Sequence, residues 1–321
     1  MPRPRHDAAG AAVAVTIRNR IVRTEPVETT LPSTTLLAKA AARCAPRRHE
    51  SHAEPGRGRL SVALVRGESA VVSCAAASPL HLFTPRARGG AVWALSATHG
   101  AGLVAGDVLD LEVDVGAGAT AVIGTTSNTR VYRSDGPFAE QRVSARVGEG
   151  AMLAVLPEPT ACFAGARHRQ EQRFTVEPGA SLLLLDAITS GREARGERWA
   201  FAAHLSRIEI EADRRPLLAD ALRLVAGEGP PLAQRMEGAA LFGTVVAVGP
   251  AMAEGARRLL DELAHAPVDP GWEVLAAASP LADGVHLRVA ARSVAAGMRY
   301  LRARLAFATP LFGGAPLERR P

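Results

Sequence analysis

The sequence predicts a mainly β, α+β protein: a layered or solenoid-like β body of roughly 30-residue strand-turn-strand repeats, with two C-terminal helices packed on it. Three observations point there. Apolar and polar residues alternate from Leu60 to about Phe201, three related glycine turns recur within that span, and helical stripes replace the alternation only near the C-terminus.

Taken in order, residues 1–58 are rich in Pro, Ala, Arg and Thr and keep no strand or helix period, so they are expected to form a disordered basic tail ahead of a β-rich domain over residues 59–321. An Arg-bearing start is also found in organelle transit peptides, but Asp7, Glu25 and Glu28 do not suit one, and no apolar stretch suits a secretory signal. In 108–115, Leu109, Leu111, Val113 and Val115 alternate with Asp110, Glu112 and Asp114, as a half-buried strand requires, and 141–147 repeats the pattern. Each segment runs into a glycine turn: VDVGAGAT at 113–120, ARVGEGAM at 145–152 and FTVEPGAS at 174–181. Their Gly-Ala pairs begin at 118, 150 and 179, which is the spacing of stacked β-layers that each bury an apolar face on the next. Leu182 to Leu185 form a fully buried strand that Asp186 is expected to end. Farther on, Met252 to His265 sets Leu259, Leu260 and Leu263 on one helical stripe, and a second helix is expected over Val294 to Leu305. Between them, Trp272 to Ala278 and Val285 to Ala291 read as a hairpin joined through 279–284.

Composition narrows the function. The net charge is +6, yet Lys39 is the only lysine and the arginines are scattered without interleaved aromatics, which argues against nucleic acid as a partner. No apolar run reaches the ~18–20 residues that span a bilayer, so no membrane partner is expected. Cys44, Cys74 and Cys162 are odd in number and form no CxxC pair, in keeping with a reducing, cytoplasmic setting.

Several motifs invite chemical readings. Cys162 stands six residues before His168, but a catalytic Cys and His meet in space rather than in sequence, and a buried structural thiol is the commoner fate. Ser190 lacks the G-x-S-x-G elbow of a hydrolase. The nine histidines contain no H-E-x-x-H, and His49 and His52 fall in the tail, so a closed zinc site is not expected. THGAGLVAGD at 98–107 lacks the Lys-Ser/Thr of a phosphate loop and leads into a strand; its glycines set a turn with Asp107 bonded to the backbone. The loop 191–198 interleaves arginines with acids, which suits either a solvated charge run or a partner-recognition surface. Two other classes stay open on residues alone: a thiol-dependent hydrolase using Cys162, and a generic β-solenoid binding module.

Taken together, HGAGLVAGDVLDLEV, TSNTRVYRS, LPEPTACFAGARHRQ, GASLLLLDAITSGREARGE, LFGTVVAVGP and SPLADGVHLRVAARS resemble the urease accessory proteins called UreD. The resemblance covers roughly Leu60 to Ala306. It implies a non-catalytic scaffold for urease maturation that binds the urease apoprotein, the helical accessory protein UreF and, through it, the GTPase UreG. It also implies no tightly bound cofactor, only nickel in transit to the urease active site. Gly106 and Asp107 match the family's Gly-Asp, Arg130 and Tyr132 its Lys-Val-Tyr, and Pro157 and Pro159 its Pro-x-Pro. Asp186, Gly191, Arg192, Gly196 and Glu197 match its D…GR…GE run. The acids inside these motifs, Asp107, Glu158, Asp186 and Glu197, are the candidates for weak oxygen ligands along a nickel path, and Glu158, between two prolines, is expected to face a partner or a passing ion.

Overall fold

A computed structural model describes residues 56–85, 89–267, 269 and 271–313. The first strand begins at Gly56 and so takes in the last three residues of the expected tail; residues 1–55 lie outside the described part.

The solenoid expected from the repeats is present, with about 4 turns. The strands β1 (Gly56–Val65) and β2 (Glu68–Ala76) form an antiparallel hairpin on one sheet, and β3 (Leu80–Phe83) pairs antiparallel with β4 (Val92–Thr98) on a second. The chain then coils. One coil holds β5 (Val108–Val115), β6 (Thr120–Thr125) and the short β7 (Arg130–Val131); the next holds β8 (Ala139–Val147), β9 (Met152–Leu156) and the short β10 (Thr160–Cys162). A third holds β11 (Arg167–Val176) and β12 (Ser181–Thr189), after which β13 (Ala203–Ala212) is turned back by the antiparallel β14 (Arg215–Val225). In the first sheet β1, β5, β8, β11 and β13 run parallel, and in the second β4, β6, β9 and β12 do. The short strands β7 and β10 pair with each other and make a third, narrow face.

The recurring turns are what let the coils stack. Gly118, Gly150 and Gly179 adopt φ of 68°, 63° and 72°, which glycine tolerates at little cost. Their amides reach the neighbouring coil: Gly118 donates to the Glu149 carbonyl at 2.9 Å and Gly150 to that of Pro178 at 3.1 Å. The following Ala119, Ala151 and Ala180 are buried, and Val115, Val147 and Val176 stack beneath them. Burying each valine contributes about 1.5–3 kcal/mol, so a small-residue column replaces aromatics as the core of this corner.

Beyond β12 the second sheet continues antiparallel through β15 (Leu241–Val248) and β17 (Gly284–Ala291) to the edge strand β16 (Val274–Leu281). This hairpin is tighter than the sequence suggests, because Ser279, Pro280 and Leu281 pair within β16 and only Ala282 and Asp283 are left to turn. Proline fits there because β16 is an edge. The helices Ala253–Ala264 and Val294–Leu305 form where expected and cover the outer face of this half-sheet. Leu259 of the first and Leu301 and Leu305 of the second are buried there with Leu183, Leu185 and Val245. The Ser293 hydroxyl caps the second helix by accepting from the Ala296 amide at 3.1 Å.

One expectation is corrected. Asp186 does not end its strand: β12 runs on to Thr189, because β15 continues to pair with it from Asp186↔Thr244 to Thr189↔Leu241. Leu182, Leu184 and Ile188 face the space between the sheets, and by the period of two Asp186 shares that face.

Candidate functional site

The third face gathers much of the motif set. Its rungs are bridged by backbone bonds: Leu103 N to Arg130 O at 2.7 Å, Tyr132 N to Leu103 O at 2.9 Å and Phe163 N to Val131 O at 2.9 Å. Residues far apart in sequence thereby line one open crevice of ≈ 510 Å³, among them Arg130, Tyr132, Phe163, Gly191, Arg192 and Arg195. Arg192 is its organising side chain. Its Nε donates to Glu197 Oε2 at 2.9 Å, its second nitrogen also bonds Glu197, and its guanidinium lies 4.1 Å from the Phe163 ring centroid. Tyr132 meets the same ring edge-on at 5.1 Å. Glu197 Oε2 further accepts from the Ala164 amide at 3.0 Å. Hydrogen bonding to Arg192, then to that amide, holds the Glu197 carboxyl below the usual range, while the bond to Glu197 holds Arg192 above its own. Gly191 sits at φ 113° where a Cβ would lie 3.0 Å from the Cys162 carbonyl, so the loop can press against β10 only as glycine.

The other motif residues stand elsewhere. Asp107 Oδ2 accepts from the Val104 amide at 2.8 Å, the turn bond expected of it, beside Gly106 at φ 85°. Glu158 has its amide bonded to Thr125 Oγ1 at 2.9 Å and its carboxylate 3.6 Å from Arg302 of the last helix, with Pro157 and Pro159 on either side outside any strand. Gly196 closes the short turn Glu193–Arg195 in the left-handed conformation.

Asp186 belongs to a second assembly, a polar seam between the sheets. It lines a small cavity of ≈ 10 Å³, the room of about one water molecule, together with His204, Ser206, Asp220 and Thr244. Burial pushes its carboxyl up, opposed by hydrogen bonds from Gln170 and Ser206 and reinforced by the charge of Asp220. Asp220 in turn bonds Arg288 and lies 3.8 Å from His286 Nε2, crossing from the first sheet to the second. At the other end, His168 Nδ1 is 3.1 Å from His204 Nδ1 and its Nε2 is 3.0 Å from Gln141 Oε1, with the Cys162 thiol close by.

Reasoning from sequence missed this seam. A signal was present: Phe174 and Val176 fix the inward register of β11, and counting back by twos puts Gln172, Gln170 and His168 inside. Cys162 is buried in the core, the commoner fate of such a thiol, and Phe163 is buried beneath Arg192. Burial pushes the Cys162 thiol well up, the reverse of what a nucleophile requires.

The chain is a β-solenoid that carries an ion-paired, ring-stacked surface crevice and a narrow polar interior. The comparisons name the family. The family model described as UreD urease accessory protein matches residues 54–321, and the chain belongs to that family. It is 57% identical to "Urease accessory protein UreD" of Anaeromyxobacter sp. over 83% of this chain and 90% of that protein. The protein of the same name from Sorangium cellulosum is 40% identical, over 83% of this chain and 84% of its own length. "Urease accessory protein D" of Oryza sativa subsp. indica is 33% identical, over 81% and 94%. The chain is thus a non-catalytic accessory protein with a role in urease maturation. No helix among the described residues is long and apolar enough to cross a membrane.

Proposed function

We propose that this chain is the scaffold on which urease receives nickel: it binds the urease apoprotein and the helical accessory protein UreF, and through UreF the GTPase UreG. The observation that carries this reading is the convergence of Arg130, Tyr132, Phe163, Gly191 and Arg192 on one open crevice, with Val294 of the last helix at its edge. Arginine and aromatic side chains around a concavity are the usual anchors of a protein interface. Nickel is cargo in this scheme. Of the four candidate acids, Asp107, Glu158 and Glu197 make turn, helix and loop contacts, whereas Asp186 lines the interior cavity and is the one suited to meet a passing ion.

The test co-produces the chain with UreF, UreG and urease and compares it with the doubly reversed variant Arg130→Glu, Arg195→Glu. Arg130 is exposed, and both arginines line the crevice, so the fold is expected to survive. The reading expects loss of UreF from the purified complex and urease with less nickel. A folded variant that retains UreF and delivers nickel normally overturns the assignment of this face.

A further inference from the structure

Cys162, His168 and His204 come from three different strands, β10, β11 and β13, yet their donor atoms all lie within 4.8 Å of one another. Their exposures are 1%, 0% and 2%, so solvent satisfies none of them. The histidines occupy one rung of the solenoid, paired His168↔His204, with rings stacked at 5.2 Å between centroids. The Gln141 amide oxygen accepts from His168 Nε2, which assigns the proton to that nitrogen and leaves the Nδ1 lone pair aimed at His204.

We propose that Cys162, His168 and His204 form a buried site for one borderline divalent cation of the nickel–zinc group. The geometry is close to that of a filled site. Metal–nitrogen bonds of about 2.0–2.1 Å at a tetrahedral angle separate two imidazole nitrogens by about 3.3 Å, and here they stand 3.1 Å apart. The sulfur, no more than 4.8 Å away, has to close by about 1 Å, within the reach of one side-chain rotation. One thiolate with two imidazoles selects borderline first-row ions over magnesium or calcium. Gln141 supplies the outer hydrogen bond that orients a ligating imidazole.

On binding, the thiol releases its proton to solvent and its sulfur bonds the cation. The single positive charge left on the site faces the carboxyl of Asp186, which lines the same small cavity as His204. Without an ion, the His204 Nδ1 proton is donated to His168 Nδ1; on binding, that proton moves to His204 Nε2 and both Nδ1 lone pairs turn to the cation. The competing account is a simple hydrogen bond between two buried imidazoles beside an inert thiol.

This inference stands apart from the scaffold reading, since co-purification can succeed while metal binding fails. The experiment uses the full-length chain with Cys44→Ser and Cys74→Ser, so that Cys162 is the sole thiol. After chelation and dialysis it is titrated with Co²⁺ alone, then challenged with Ni²⁺ or Zn²⁺. One equivalent bound, with a thiolate-to-cobalt charge-transfer band that either ion displaces, supports the site. Cys162→Ser then removes the band, and Gln141→Leu weakens binding by about 10–100-fold. Absence of the band, or an unchanged band in a folded Cys162→Ser variant, overturns it. Should that variant fail to fold, X-ray absorption on the chain with Cys162 intact decides: one sulfur and two imidazoles support the site, and nitrogen and oxygen alone overturn it.

Discussion

Replacing Asp220 by alanine tests whether the interior seam is held by charge. Asp220 on β14 bonds Arg288 on β17, joining strands of opposite sheets, and the two side chains are only 11% and 20% exposed. Removing one member of a pair this buried strands the other charge, at a cost of about 3–5 kcal/mol. The partial exposure of Arg288 puts the expectation at the lower end, about 3 kcal/mol. Arg59 and Glu112 form the control: they pair across β1 and β5 at 67% and 57% exposure, where an ion pair contributes about 0–1 kcal/mol. Both single variants and the double Asp220→Leu, Arg288→Met are unfolded in urea, followed by fluorescence of the buried Trp199. Asp220→Ala is expected to lose far more stability than Glu112→Ala, and the apolar double variant to recover most of the loss. Equal losses in Asp220→Ala and Glu112→Ala would refute the reasoning.

Two further outcomes follow from the fold. At Gly150 a Cβ meets nothing within 4 Å, so Gly150→Ala carries only the left-handed backbone cost of roughly 1–2 kcal/mol. At Gly249 a Cβ would lie 2.1 Å from the Ala180 carbonyl, and Gly249→Ala is expected to cost about 4 kcal/mol or more in the same assay; equal costs would show that the turns are not packed as described. Val72 is 56% exposed on the edge strand β2, so Val72→Lys is expected to raise the soluble yield of the isolated chain without altering its circular dichroism. An unchanged yield would show that this edge does not drive aggregation.

The solenoid was legible because its determinants are local. A Gly-Ala turn and a period of two are properties of eight-residue stretches, and the three turns in the structure fall at the glycines the sequence marks, Gly118, Gly150 and Gly179. The helices were legible for the same reason. Asp186 was misplaced because a carboxylate after four leucines reads as a strand end, and the pairing that keeps the strand going is remote in sequence: β15 from the far side of the β13–β14 hairpin, and β10 at Ile188 and Thr189. The seam was hidden because β11 is polar on both faces over residues 167–173, so local alternation gives no register there; Phe174 and Val176 supply it from one end.

The stretch LPEPTACFAGARHRQ shows how a parallel solenoid turns one short motif into parts of two sites. Stacked coils place residues about 30 positions apart on one rung, as with Val131 and Cys162 or His168 and His204. Within the motif, alternation then divides the labour. Ala161 lines the crevice, Cys162 points into the core, and Phe163 receives the Arg192 guanidinium. Gly191 rests against the Cys162 carbonyl, so the surface loop that carries Arg192 and Glu197 is seated on the same residue that offers its thiol to the interior. The Cys-to-His spacing of six looked like weak evidence for chemistry because neither residue meets its partners locally. Its meaning lies one coil further on, where His204 completes the group.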